Sequence, residues 1–557
     1  MAGERLIYLP LGGAGEIGMN AYVYGYGPAG AERYILVDLG VAFPDMDGTP
    51  GVDLILPDME WLMDRADRLD GVFVTHAHED HVGGVGILAA KLNAPIFTRS
   101  FTAAIARRKL EEHGHNPDQV QVCDAWPSTV EAGPFKVGFL PVSHSIPQAS
   151  ALVIDSPAGR VVHTGDFKLD KTPGLGEPFD PELWASVAEG GVRALVCDST
   201  NVFSLQPGRS EAEVAPRLKE FVAAASGMVV ATTFASNLSR VRALAEAGRA
   251  TGRSVCLMGR AMRRMVQVAE ETGVMKGFPP TIGPEDAGQV PRENLMLIVT
   301  GSQGERRAAS AALSRGKYLG MQMQEGDTFL FSSKTIPGNE VGVARIWNAY
   351  SELGVEVSDD QGGLYHVSGH ANRPDILEVH RILNPQVVIP MHGEHRHLQT
   401  HAKLAKAGGR VGIVAPNGSL VEVSGNNPRV VEYVETGRTY LDGAALVGAL
   451  DGVIRERIKM AMNGHVAVAV VVDDEDTALD DAWVQMRGLP ETGASGSPLG
   501  ELVEDDVAAL MGRAERKTVR SDEQLEDAVR RVVRKTVMDE TGKKPEVTVL
   551  ISRLVTE

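Results

Sequence analysis

Cysteine, aromatic side chains, positive charge and long apolar runs are all scarce in this chain of 557 residues. Its three cysteines, Cys123, Cys197 and Cys256, lie far apart with no C-x-x-C pair. That spacing indicates neither a disulfide framework nor a thiolate zinc site, and it fits a reducing compartment. Aromatics are only 5% of residues, which leaves room for no more than a small platform on which nucleobases could stack. Lys and Arg number 55 against 73 Asp and Glu, a formal net charge of −18. A protein coated in basic residues is thereby excluded, and any nucleic-acid contact must use a local positive groove. No run of about 18 apolar residues occurs, and Met1 to Asn20 lacks a basic segment followed by an apolar core. The expectation is a cytoplasmic protein with no membrane partner. What is present is an ordinary globular composition, 43% hydrophobic and 23% charged, in a chain longer than one core supports. Two to four domains are expected.

The chain is organised around Val72-Phe73-Val74-Thr75-His76-Ala77-His78-Glu79-Asp80-His81. A short apolar run predicts a buried strand, and the histidines arrive where the chain leaves the sheet, the usual place for a site in α/β proteins. His76 and His78 are two apart and project to one side of an extended chain, so they can grip one ion. Asp80 and His81, at the turn into a helix, can face a second.

The same pattern recurs. A strand at Pro134 to Val142 delivers His144, a hairpin ending at His163 delivers Asp166, and a strand at Val387 to Pro390 delivers His392. His76, His78 and His144 can form one site; Asp80, His81 and His392 a second, with Asp166 bridging. Imidazole with carboxylate suits two divalent ions, Zn²⁺ and/or Mn²⁺. Such a pair lowers the pKa of a shared water toward roughly 7, so the predicted reaction class is hydrolysis. Asp38, at the end of a strand over Tyr34 to Val37, is placed to support a ligating histidine from behind or to cap a turn.

Gly12, Gly13, Gly15 and Gly18 resemble a phosphate loop, but a strand pattern follows rather than a helix, so a tight hairpin is predicted. Arg107, Arg108 and Lys109 on a helix over Ser100 to Glu112 form a solvated face or a phosphate contact. From Ala194 onward, strand runs at Ala194 to Cys197, Met228 to Thr232, Ser254 to Leu257, Leu295 to Val299 and Phe329 to Phe331 alternate with helices. This predicts a doubly wound parallel sheet. Several of its strands end in small polar loops of the kind that bind phosphate. The last hundred or so residues read as a separate α+β domain without catalytic residues, an assembly module.

The metal motifs His76-x-His78-x-Asp80-His81, His144, Asp166 and His392, with Asp38 ahead of them, resemble those of the metallo-β-lactamase superfamily. Asp198, His370 and His392 match the three extra motifs of its β-CASP branch. Gly15 to Asn20, His144-Ser145-Ile146-Pro147, His163 to Lys168, Asp198 to Asn201, Phe234 to Asn237, Thr300 to Glu305, Pro337 to Glu340, His366 to Ala371 and His392-Gly393-Glu394 together resemble bacterial ribonuclease J over nearly the whole chain. Gln148 departs from the acidic residue often found there in the family. The resemblance implies an α/β fold: a metallo-β-lactamase αββα sandwich (residues 1–208 and 365–447), an inserted β-CASP domain (209–364), a linker (448–462) and a C-terminal α+β domain (463–557) that assembles a homodimer or tetramer. It implies a 5′-to-3′ exonuclease acting on single-stranded RNA with a 5′-monophosphate end, and an endonuclease, working in mRNA decay and rRNA maturation. Asp80, Asp198 and His370 would be catalytic, and Ser236, Asn237, His366, Ser368, Gly369 and His370 would bind the substrate. The competing readings are a related nuclease acting on DNA or tRNA 3′ ends, and a non-catalytic RNA-binding scaffold.

Overall fold

The computed structural model describes residues 3–554 apart from Met46, Lys317, Pro337, Gln361, Asp474, Asp480 and Asp481. Pro337 of the Pro337 to Glu340 motif therefore lies outside the described residues. The chain divides into two compact units, one of residues 1–42 and 56–438, the other of 43–55 and 439–557.

Two mixed sheets form the body of the first unit. One has eight strands in the order Arg429–Tyr433, Ser419–Glu422, Glu4–Gly12, Ala21–Pro28, Arg33–Val37, Leu69–Phe73, Ile96–Thr98 and Val120–Val122. The other has seven, in the order Val411–Gly412, Val387–Met391, Ala194–Asp198, Gly159–His163, Ser150–Ser156, Phe135–Pro141 and Thr129–Ala132. Strand side chains alternate between faces. Leu6, Tyr8, Tyr22, Tyr24, Ile35 and Val37 of the first sheet accordingly share one core with Phe135, Val137, Phe139, Leu152, Ile154, Val196 and Ile389 of the second. The outer face of the second sheet is covered by helices that include His395–Ala407. This is the αββα sandwich.

The inserted domain is a five-stranded parallel sheet ordered Ser254–Met258, Leu295–Val299, Val229–Thr232, Thr328–Phe331 and Glu356–Ser358. One face packs Val230, Leu297, Val299, Phe329 and Phe331 on Val343, Ile346 and Tyr350 of the helix Glu340–Glu352. The strand pattern grouped Ala194–Asp198 with this sheet, but it belongs to the sandwich, paired with Gly159–His163 and Val387–Met391, inside the 1–208 segment that the family resemblance assigns there. A short buried apolar run reads alike in either parallel sheet, and only long-range pairing decides its partner. The fifth strand is instead Glu356–Ser358, too short and exposed to leave a pattern.

The glycine-rich start is not a tight hairpin either. Between Glu4–Gly12 and Ala21–Pro28 the chain detours, and Ala14–Gly15 pairs with Gly393–Glu394 beside His392. The basic cluster is engaged by the protein itself: Arg107 donates to the Val120 carbonyl, Arg108 pairs with Glu271 at 2.6 Å and Lys109 with Glu79 at 2.7 Å.

In the second unit a sheet ordered Trp483–Arg487, His465–Val472 and Glu546–Arg553 carries Val466, Val468, Val470 and Val472 on one face. Val503 and Val507 of Leu499–Arg513 and Leu525, Val529, Val533 and Val537 of Asp522–Thr541 cover them. A helix, Val453–Asn463, occupies most of the stretch read as a linker. Among the described residues no helix is long and apolar enough to cross a membrane.

Candidate metal centre

The strand Leu69–Phe73 ends beneath the cleft, and the chain passes through Thr75 to His78 before turning into the short helix Glu79–Val82, which carries Asp80 and His81. That turn, the ends of Phe135–Pro141 and Gly159–His163, and the end of Val387–Met391 meet at one edge of the sandwich. Ring nitrogens of His76, His78 and His144 lie within 4.8 Å of one another. So do ligand atoms of Asp80, His81, Asp166 and His392, and those of Asp166, Asp198, His370 and His392.

The hydrogen bonds fix which nitrogens face inward. The Gly369 carbonyl, which can only accept, lies 2.7 Å from His144 Nδ1. Burial holds His144 well below its ordinary pKa, so the neutral ring has its proton on Nδ1 and a lone pair on Nε2. Thr75 Oγ1 donates to Asp38 and so accepts from His76 Nδ1 at 3.0 Å, freeing His76 Nε2. Both Nε2 atoms converge on His78 Nδ1, each at 3.1 Å. Burial lowers His78 to about 4, so three neutral imidazoles meet, with the Nε2 lone pairs of His76 and His144 turned toward His78.

On the other side the Asp38 carboxylate, fully buried, accepts from His81 Nδ1 at 2.7 Å and from Thr75 N at 2.8 Å. Thr200 Oγ1 lies 2.8 Å from His392 Nδ1 and donates to Asp198 Oδ1 at 2.7 Å. His81 Nε2 and His392 Nε2 thus point at Asp80 Oδ2, 3.6 and 3.2 Å away. Burial opposes a charge on either ring, yet Asp166 and Asp80 raise both above the ordinary histidine value. A divalent cation can supply the positive charge that protons otherwise bring, so its binding competes with protonation.

Asp166 Oδ2 is the hub: His81, His392, His370, His144 and His76 place a ring nitrogen 3.3, 3.7, 3.8, 3.9 and 4.0 Å from it. Its Oδ1 is buried with no hydrogen-bond partner among the described residues. A carboxylate with one oxygen at the meeting point of five ring nitrogens and the other buried without a partner fits a two-cation site of imidazole and carboxylate ligands.

His370 Nδ1 is 2.8 Å from Asp198 Oδ2. Although burial works against its charge, Asp198 and Asp166 raise it to about 9. It also lines a cavity of about 580 Å³ together with Asn201, Ser333, Lys334, His366 and Ser368. Asn201 Nδ2 ties that wall together, donating to Ser368 Oγ at 2.8 Å and to the His370 carbonyl at 3.2 Å. Of the other residues singled out in the sequence, Gly369 offers its carbonyl to His144. Asn237 is buried and accepts from Arg240 N as the N-cap of Leu238–Ala250, and the half-buried Ser236 precedes it. Gln148 Oε1 accepts from Phe101 N at 2.8 Å and from Ser100 Oγ at 2.9 Å, capping the helix Ser100–Glu112. Thr75 and Thr200 were given no role in the sequence. The signal for Thr200 is Asp-x-Thr after a buried strand, an Asx turn closed by Thr200 N on Asp198 Oδ1 at 2.8 Å.

An αββα sandwich with this cleft and an inserted parallel-sheet domain defines a metallo-β-lactamase-superfamily hydrolase of the β-CASP type, and family models match accordingly. Residues 15–197 match the metallo-beta-lactamase superfamily, 226–350 the ribonuclease J beta-CASP domain, 364–416 the Zn-dependent metallo-hydrolase RNA specificity domain and 452–554 the ribonuclease J C-terminal domain. The chain is 40% identical to a ribonuclease J of Sinorhizobium meliloti over 99% of its own length and 98% of the relative's. It is 36% identical to one of Corynebacterium glutamicum (94% and 73%) and 35% to one of Mycolicibacterium smegmatis (96% and 95%). The chain belongs to the ribonuclease J family, a family of metal-dependent ribonucleases.

Proposed function

We propose that the chain cleaves single-stranded RNA 5′ to 3′ from a 5′-monophosphate end, and also internally, with Zn²⁺ and/or Mn²⁺ at the clustered histidines and aspartates. The observation that carries this reading is that His370 belongs to two places at once: its Nδ1 is bound to Asp198 at the metal cluster, and its ring lines the cavity with Lys334, Ser333, His366 and Ser368. A terminal phosphate held there by one cation and several hydroxyls would leave the next phosphodiester over the cluster.

His76, His78 and His144 would hold one cation, and Asp80, His81 and His392 the other, with Asp166 between them. Two such cations would stabilise charge on the scissile phosphate and provide a water ionised near neutral pH. Asp38 would keep the lone pair of His81 Nε2 directed inward. Asp198 would keep His370 protonated and oriented, so that His370 could bind a phosphate oxygen or give its proton to the departing 3′ oxygen. By family resemblance Ser236 and Asn237, which follow the strand Val229–Thr232 and are not among the residues lining that cavity, would also contact the terminal phosphate. Residues 463–557, carrying no such cluster among the described residues, would serve assembly into a dimer or tetramer.

Matched RNA and DNA oligonucleotides bearing 5′-monophosphate, 5′-triphosphate or 5′-hydroxyl ends, each with Mn²⁺, Zn²⁺ or Mg²⁺, test this. Mononucleotides released fastest from 5′-monophosphate RNA, with discrete internal fragments from protected ends, are expected. Equal rates on all three ends, or on DNA, would refute it.

A further inference from the structure

Behind the metal cluster, between the second sheet and its covering helices, lies another group of ligand-type side chains. Cys197 comes from the strand Ala194–Asp198, His380 from the helix Arg373–Leu383 and His401 from the helix His395–Ala407. Val196 points into the sandwich core, so Cys197, next on the strand, faces the helices. All three are at most 1% exposed, and Sγ and one nitrogen of each ring lie within 4.8 Å of one another. Cys123 and Cys256 are buried in other cores.

We propose that Cys197, His380 and His401 form a third, structural metal site for a thiophilic divalent cation of the zinc class. His380 Nε2 and His401 Nε2 face each other at 3.0 Å. Two neutral rings in that position can share only one proton, whereas a cation accepts both lone pairs. With Zn–S of about 2.3 Å and Zn–N of about 2.0–2.1 Å, tetrahedral ligands stand about 3.3–3.6 Å apart, so the two rings need to separate by only a few tenths of an ångström.

Burial, with His401 and Arg410 nearby, keeps His380 down to about 2, and burial keeps His401 to about 4 against the opposing pull of Asp198, so both rings offer lone pairs at neutral pH. The other nitrogen of His401 is already oriented: Nδ1 meets Ser199 Oγ at 2.9 Å, and Ser199 Oγ lies 3.3 Å from the Cys197 carbonyl as its donor. A ligating histidine held by a hydrogen bond on its far nitrogen is the arrangement metal sites use. On binding, the Cys197 thiol gives its proton to solvent and ligates as the thiolate. One thiolate and one divalent ion leave a single positive charge, and the Asp198 carboxylate, one residue along, acts electrostatically on both Cys197 and His401. The ion would brace the Asp198 to Asn201 loop from behind, the loop that holds His370 and His392.

Cobalt(II) separates this site from the main centre. The full-length chain, stripped by chelation, is titrated with Co²⁺ and followed by absorption. Histidine and carboxylate ligands give visible d–d bands, whereas a thiolate adds a near-ultraviolet sulfur-to-cobalt charge-transfer band. That band is expected in the unaltered chain and lost in Cys197→Ser with the d–d bands retained. Zinc analysis should find one ion more per chain than in His380→Gln. A chain with d–d bands and no charge-transfer band overturns the site, as does a band that survives Cys197→Ser or a zinc count unchanged by His380→Gln. Should Cys197→Ser not fold, the unaltered chain's band and the His380→Gln count still decide. A charge-transfer band without d–d absorption from the main centre would sink the proposed function and leave this site standing.

Discussion

Asp38→Asn is a one-atom change with a calculable consequence. Asp38 Oδ2 accepts from His81 Nδ1 at 2.7 Å and Oδ1 accepts from Thr75 N at 2.8 Å, all fully buried. An asparagine keeps the shape and tolerates the left-handed backbone at φ 62°, but it has only one accepting oxygen. If that oxygen stays on Thr75 N, the amide NH₂ meets His81 Nδ1. The ring must then carry its proton on Nε2, and the lone pair aimed at Asp80 and Asp166 is lost. Loss of such a supporting partner costs about 10–100-fold in metal affinity, or about 1.4–2.8 kcal/mol. If the amide turns the other way, His81 is kept, but Thr75 N is buried without an acceptor at a cost of about 1–3 kcal/mol in stability. Competition titration of the stripped chain with a chromophoric chelator, paired with denaturant unfolding of the metal-free form, reads both. Affinity and stability both unchanged would refute the assignment of His81 Nε2 to a cation.

Asp166→Ala removes the oxygen on which five imidazoles converge, so bound divalent metal should fall and cleavage should drop to background; retained turnover would refute the hub. His370 has its pKa raised to about 9, and bound cations would lower it, so if its protonated form acts, kcat should fall as pH rises through a value at or below about 9. The residual activity of His370→Asn should lack that limb, and an identical profile would contradict the role. Gly369→Ala would set a Cβ 2.8 Å from His144 Cε1 and 2.9 Å from Ser145 Oγ, which should cost about 1–3 kcal/mol in stability or in affinity at the His76–His78–His144 site. Isothermal titration and thermal unfolding that match the parent would contradict it. Removing Ile454 to Glu557 should lower the oligomeric state seen by light scattering while metal content persists, and an unchanged subunit number would contradict the assembly role.

The legible part of the sequence was whatever repeats at short range. A buried strand followed at once by His or Asp occurs at His76, His144, Asp166 and His392, and the structure gathers all four at one edge because strands of one sandwich end at a common edge. Short apolar runs bounded by polar or glycine-rich turns likewise marked most strands to within a residue or two. What stayed hidden depends on partners distant in sequence. The allegiance of Ala194–Asp198 rests on register with Gly159–His163 and Val387–Met391. The grouping of Cys197 with His380 and His401 joins residues 183 and 21 positions apart, a proximity that the spacing of the cysteines alone does not register.

Backbone conformation was hidden for a different reason. Asp38 and His392 each follow directly on a strand, and both are left-handed, at φ 62° and φ 50°. That conformation costs a non-glycine residue about 1–2 kcal/mol, and glycine would avoid the cost. Glycine has no side chain to ligate or support, so these positions keep their functional groups and bear the strain. Surrounding bonds hold them there: Asp38 N on the Phe73 carbonyl at 2.8 Å, Leu39 N on that of His81 at 2.8 Å, and His392 N on that of Gly13 at 2.8 Å. Gly40 completes the fit, since a Cβ there would lie 1.6 Å from the Asp80 carbonyl oxygen. The glycine-rich start, read as a turn, is therefore part of the scaffold that forces His392 into the cleft, and lengthening it should disturb the metal centre before it disturbs the sheet.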